Sequence, residues 1–252
     1  MQYSYLSESV SIKKISEEGN VGIFHIEGLY TGYGTTMGNA LRRVLLSSLP
    51  GAAITQIKIK GVDHEFSTLP GMVEDIVALT LNLKKVRFHF FVDEPQVLKL
   101  QAKGEKEVTA SDIGSTAMVK VVNGDIHIAS LTKKNAELDM ELTVEKGLGY
   151  VPSEARRLER LPVGTVVLDA IFSPIQRVEF NIENMRVGER TDYNRLKMEI
   201  ETDGSISPSE ALHKTANILR DHFEKVSAVE QTKIKIEGAE VKEKPKRKKK
   251  SS

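Results

Sequence analysis

No cysteine occurs anywhere in the 252 residues. Disulfides, thiolate metal sites and cysteine nucleophiles are therefore excluded. No apolar stretch is long enough to span a bilayer, and no apolar run flanked by basic residues opens the chain. A cytoplasmic protein with no membrane contact is the expectation. Catalytic motifs are equally scarce. The glycines at 28, 32, 34 and 38 suggest a phosphate loop, but Gly32, Gly34 and Gly38 fail the GxGxxG spacing, and no Lys-Ser or Lys-Thr follows for a P-loop. The six histidines (25, 64, 89, 127, 213 and 222) form no HxH, HxxxH or HExxH pattern with a third ligand. Neither a DxD carboxylate run nor a GxSxG elbow is present. Asp63-His64-Glu65 is the one compact titratable cluster, and a loop histidine between acids is expected to cap or to contact a partner. No catalytic residue, metal or cofactor is expected.

What is present is an ordinary globular composition, 40% hydrophobic and 28% charged, in a chain long enough for one large or two modest domains. The net charge of +1 conceals an asymmetry. Residues 231–252 carry nine Lys/Arg and three Glu, a net of +6, which leaves 27 Lys/Arg against 32 Asp/Glu, a net of −5, in the first 230. A net-acidic body is poorly suited to broad phosphate-backbone binding, which relies on clustered Lys and Arg. The basic tail reads as a disordered solubilising end, with weak, sequence-blind nucleic-acid contact as its sharper alternative.

The stretch Gly32–Pro50 organises the chain. Thr35 and Thr36 are N-cap candidates, and Pro50-Gly51 is a stop. Met37, Ala40, Leu41, Val44 and Leu45 make an apolar stripe, while Asn39, Arg43 and Leu46 share a second, mixed face. A helix with two such faces suits an assembly surface better than a catalytic pocket. Residues 8–29 read as a hairpin about Glu18-Gly19-Asn20, and residues 52–62 as a strand. Residues 64–71 read as loop and 72–84 as a helix with Glu74 and Asp75 in its first turn. Strands are expected on either side of Asp93-Glu94-Pro95, loop over 103–117, strands at 126–131 and 136–146, loop from 147 to 162, β structure over 165–183, and a strand ending in a turn over 196–204. A final helix spans Ser207–Val226, with a Ser207/Glu210 capping box, Pro208 at its first position, and a stripe of Leu212, Thr215, Ala216, Leu219, Phe223 and Val226. Strands mixed with helices, without βαβ alternation, predict an α+β fold. The two strong helices near opposite ends predict a discontinuous domain, 1–50 and 174–228, with a β-rich domain of residues 51–173 inserted and a tail at 229–252.

YGTTMGNALRRVLLSSLPGAAIT, GVDHEFSTLPGMVEDI, KGLGYVP, LDAIFSPIQRVEFNIE and RVGERTDYNRLKMEIETDGSISPSEAL, in consistent order over roughly residues 8–228, resemble the amino-terminal domain of bacterial RNA polymerase α subunits. The resemblance implies a homodimer formed by the subdomain holding the first and last helices, which takes up the β and then the β′ subunit, with ω and sigma in the holoenzyme. It implies that Tyr33, Met37, Val44, Leu45, Leu212, Leu219 and Phe223 form the dimer surface. It implies that Asn39, Arg43, Leu46, His64, Glu65, Gly71 and Asp75 meet β, and that Lys84, Leu168, Asp169, Arg186 and Arg190 meet β′. Catalysis would lie on another subunit of this nucleotidyltransferase complex, placed in the cytoplasm at the nucleoid. The family continues through a linker into a DNA-binding domain. Such a domain is not expected in this sequence, which stops at Ser252 in a lysine run, so promoter recognition is not carried over. DNA contact would be indirect, or weak through the tail. A DNA-binding transcription regulator acting through the basic tail is one alternative reading of the sequence, and a stand-alone enzyme is another.

Overall fold

Apolar alternation at the two ends of the chain meets in one sheet. The computed structural model describes residues 8–156, 162 and 164–229. β1 (Ser11–Glu18) and β2 (Val21–Leu29) form the expected hairpin, turning at Gly19 with φ 56°. β13 (Ile175–Val187) and β14 (Arg190–Thr202) form a second hairpin. β14 pairs with β2, giving the antiparallel order β1-β2-β14-β13. One face carries Phe24, Ile26, Leu196, Met198 and Ile200, all buried beneath α1 (Tyr33–Ser48) and α4 (Pro208–Ser227). Burying each such side chain contributes about 1.5–3 kcal/mol.

α1 lies unusually close to this sheet. A Cβ at Gly38 would fall 2.8 Å from the Phe180 ring, and one at Gly34 would fall 3.0 Å from Ile182. The expected N-cap at Thr35 or Thr36 is incorrect. The helix starts at Tyr33, after Gly32 at φ 86°, a left-handed conformation that favours glycine. Gly32 has no side chain to cap with, and Asn194 on β14 takes over. Its buried Oδ1 accepts from the amides of Gly32 (2.9 Å) and Gly34 (3.4 Å). The stop is as expected, with Leu49 extended and β3 beginning at Pro50.

The middle of the chain builds a separate core. β3 (Pro50–Ile59), β5 (Gln96–Lys103), β9 (Glu137–Leu148) and β11 (Thr165–Val167) form a sheet in the order β11-β3-β9-β5. Three ribbons join it: β4 (Phe88–Phe90) with β7 (Val119–Val121), β6 (Lys106–Thr109) with β8 (His127–Leu131), and β10 (Tyr150–Val151) with β12 (Ala170–Ile171). α2 (Ile76–Leu83) buries Ile76, Leu79 and Leu83 against them, and α3 (Ser153–Arg156) is a single turn. The fold is α+β.

Several sequence expectations are corrected here. Residues 103–117 contain β6 and a 3-10 turn at 110–112, held by a Thr109/Asp112 capping box and the Lys106–Asp112 ion pair. The strands flanking Asp93-Glu94-Pro95 belong to different sheets. The 147–162 loop holds β10 and α3, while 157–161 lies outside the described residues, as does the tail from 230. α2 begins at 76 rather than 72, because the Asp75 carboxylate caps it by accepting from the Ala78 amide. In α4 only half of the capping box forms. Ser207 accepts from the Glu210 amide, but the Glu210 carboxylate pairs with Lys214 one turn on.

Gly38→Ala is expected to lower stability by about 1–3 kcal/mol despite alanine's better helix propensity, because the methyl overpacks Phe180. Urea denaturation checks this, and an unchanged midpoint would mean that the helix has room to lift off the sheet.

Candidate functional site

α1 shows two faces. Leu41 and Leu45 point into the core, Met37, Ala40 and Val44 are half-buried, and Asn39, Arg43 and Leu46 are exposed. Asn39 donates to the Thr35 carbonyl one turn back. The Arg43 guanidinium makes no hydrogen bond or ion pair among the described residues, while its carbonyl accepts from Ser47.

The expected apolar stripes are divided. Leu45 (0% exposed) and Leu212 (6%) fill this chain's own core, so they are corrected from surface to interior. The two helices pack on each other and on the sheet, and these positions face that contact. Ala216, expected in the α4 stripe, is exposed. Tyr33 is 42% exposed, and Leu219 is half-buried. From Arg220 on, every described residue of α4 is exposed, including Phe223 (64%) and Val226 (68%). Leu219, Phe223 and Val226 follow at four- and three-residue spacing, so they form one apolar stripe that leaves the core at Leu219, still packed against it, and runs outward through exposed Phe223 and Val226.

A second surface lies on the segment from 64 to 75. His64 is exposed and within 3.2 Å of the Ser67 hydroxyl, Glu65 is half-exposed, and Gly71 turns at φ 88°. Glu74 anchors the segment. Its carboxylate accepts from the Ser130 amide at 2.7 Å and lies 2.9 Å from His127 Nε2, while His127 Nδ1 lies 3.1 Å from Glu107. Burial alone would raise the Glu74 carboxyl, but the hydrogen bonds from Ser130 and His127 outweigh it and hold the group below 4.5. The hydrogen bond to Glu74 raises His127 above its ordinary 6.5, with Glu107 adding to the effect. Val73, next to the anchor, is 67% exposed, and so are Phe66 (78%) on the same segment and Leu81 (54%) on α2. A helix over 72–84 would hold Val73 in its first turn, but α2 starts at Ile76 and Val73 lies in the segment before it. Phe66, an aromatic stranded among polar loop residues, was the available signal for this apolar surface.

Lys84 pairs with Asp169 at 2.8 Å, and Asp169 also accepts from the Ser153 amide at 2.9 Å. The Lys84 hydrogen bond, then that of Ser153, holds the Asp169 carboxyl down at about 2. Leu168 beside it is buried. Arg186 and Arg190 are elsewhere, on the β13–β14 hairpin. Arg186 Nε donates to Gly188. Arg190 pairs with Asp192 at 2.7 Å and lies over the Tyr30 and Tyr193 rings, 4.9 and 5.2 Å from their centres. The structure thus divides these five positions between the two cores. Among the described residues no three His, Asp or Glu side chains converge as metal donors, and no helix is long and apolar enough to cross a membrane.

A family profile described as "RNA polymerase Rpb3/RpoA insert domain" matches residues 57–173. Over 229 residues the chain is 48% identical to the DNA-directed RNA polymerase subunit alpha of Symbiobacterium thermophilum, covering 91% of this chain and 72% of that one. The protein of the same name from Alkaliphilus oremlandii is 47% identical over 85% of this chain and 67% of its own. That from Syntrophomonas wolfei is 47% identical over 88% and 70% respectively.

The His127–Glu74 contact carries a pH signature. A histidine raised by folding contributes stability that is complete below its unfolded value and lost as pH rises through its folded one. The stability gap between the natural chain and His127→Gln is expected to be full near pH 6 and to narrow as pH rises above 6.5. Urea midpoints at a series of pH values read it, and a gap that widens with pH would rule out the contact as drawn.

Proposed function

The chain belongs to the DNA-directed RNA polymerase α-subunit family, and from that premise we propose that it acts as a homodimeric, non-catalytic scaffold on which the large subunits assemble. The family role makes it part of a nucleotidyltransferase complex that transcribes DNA. The regulator alternative has no support from these relatives. The observation that carries the scaffold reading is the outer half of α4. A helix end bearing Phe223 and Val226 in water is marginal alone, and an apolar face of this kind marks an association site.

In this reading residues 1–50 and 174–228 form the dimerising part, and 51–173 an inserted part that reaches the large subunits. Tyr33, Met37, Val44, Leu219, Phe223 and Val226 meet the second copy, with Leu45 and Leu212 holding the two helices in place from within. Asn39, Arg43 and Leu46, with the His64–Asp75 segment, meet β; the exposed Phe66 and Val73 supply its apolar part. Lys84 and Asp169 meet β′ as a fixed pair with Leu168 packed behind them, and Arg186 and Arg190 meet it from the hairpin. Catalytic metal chemistry belongs to another subunit, and the complex works in the cytoplasm at the nucleoid with ω and sigma. The basic tail gives at most weak contact to DNA.

Phe223→Asp is expected to halve the solution mass toward the 28.0 kDa of one chain without unfolding it, because the residue is exposed in the single copy and a carboxylate buried in the dimer costs several kcal/mol. Light scattering over a dilution series checks it, and an unchanged dimer mass would reject this face. Val44→Asp is expected to act in the same direction. Arg43→Ala should leave dimer and fold intact yet abolish capture of RNA polymerase β; capture at the natural level would remove Arg43 from that surface.

A further inference from the structure

The two cores do not merge. Their buried clusters are separate, and the chain passes between them at 49–51 and again at 172–174. The two crossings touch so closely that a Cβ on Gly51 would fall 1.9 Å from the Phe172 carbonyl. Beside this point two open clefts of ≈ 510 and ≈ 290 Å³ lie between the bodies, sharing Phe90, Ser205, Ile206, Glu210 and Lys214 in their walls. Where two bodies keep separate cores, packing alone fixes the angle between them weakly, and relative motion is the default.

Among the described residues, one ion pair crosses this gap. Arg87 Nε lies 3.1 Å from Asp203 Oδ2, with side chains only 21% and 6% exposed. Each partner is held from its own side. The Arg87 guanidinium donates to the Lys84 carbonyl at the end of α2 (2.8 Å), and its backbone amide donates to Asn123 Oδ1 (2.8 Å). Asp203 uses its other oxygen to accept from the Ser205 amide (2.9 Å) and hydroxyl (2.6 Å), and its own amide donates to Pro174 (3.0 Å). His89 Nδ1 lies 3.1 Å from the Ser205 carbonyl and adds a second polar contact across the gap. Partners already oriented lose little freedom on pairing, and a charge-assisted bond shielded from water is directional.

We propose that the Arg87–Asp203 pair is a positioning latch that fixes the inserted part against the α1–α4 platform. It joins the end of α2 to the turn that precedes α4. The two surfaces assigned above to β, one on α1 and one on the 64–75 segment, then meet their partner already in register. This role rests on the scaffold reading. The positional effect of the latch on the free chain does not.

The test uses the absence of native cysteine. Spin labels at Lys58→Cys and Lys197→Cys, one on each body, report the distance between them once labelled chains are diluted into unlabelled ones. The natural pair should give one narrow distribution. Asp203→Asn keeps the Ser205 acceptor and Arg87→Met keeps the stem, yet each should broaden the distribution about twofold or more, the double variant no further. Arg87→Lys, which retains the charge, should restore the narrow distribution. In parallel, capture of RNA polymerase β should fall about tenfold in the two neutral variants, with dimer mass unchanged, because orientation is no longer prepaid. Unchanged distances in a chain that still captures β overturn the latch. Broadened distances with undiminished capture overturn its role in recruitment. Failure of the unaltered chain to capture β would sink the scaffold reading itself, whatever the distances show.

Discussion

The contact on which the molecule depends is the close seat of α1 on the β13–β14 hairpin. Two glycines, 34 and 38, remove the side chains that would hold the helix away from Phe180 and Ile182. Asn194, reaching from the hairpin, satisfies amides that a helix start leaves without partners. Geometry and hydrogen bonding thus agree on one position for the helix. Because Leu41 and Leu45 are fixed inward, Asn39, Arg43 and Leu46 are fixed outward. The exposed face is defined by the buried one.

Polar anchors of the same kind recur wherever a surface must be held still. Glu74 ties the 64–75 segment to β8 through Ser130 and His127. Asp169 holds Lys84 and the start of α3 together. Arg190 is fixed by Asp192 and two tyrosine rings. Each uses a charged group with several partners, which yields direction where a small apolar contact would yield only adhesion.

Elements with strong local periodicity were legible in the sequence. The β1–β2 hairpin, β3, β9, α1 and α4 all follow alternation or helical spacing with turn residues at their ends. Features fixed by distant residues were not. Thr35 and Thr36 have the chemistry of a cap, but a left-handed Gly32 and an asparagine from β14 define the start instead. β6 is short, and lysine and glutamate carry half of it, so only its pairing with β8 reveals it. Val73 fits a helical stripe that the Glu74 anchor interrupts. The mixed face of α1 lies exposed, as its residues suggest, whereas Leu45 and Leu212 lie inside because a stripe in sequence does not say which part its own body covers.

The pairing of β2 with β14 joins residues such as Leu29 and Asn194 across most of the chain. During synthesis the β1–β2 hairpin and α1 leave the ribosome long before β14, which must pair with β2, while the whole intervening sheet and its ribbons emerge first. At ~5–20 residues per second that wait is on the order of ten seconds. Contacts of such long sequence separation form slowly, and the loop between them must be closed before they bring any gain. The middle body, whose strands pair among themselves and whose ends already touch at Gly51 and Phe172, closes that loop by folding. Its folding order therefore makes it the template that brings the two ends of the chain together.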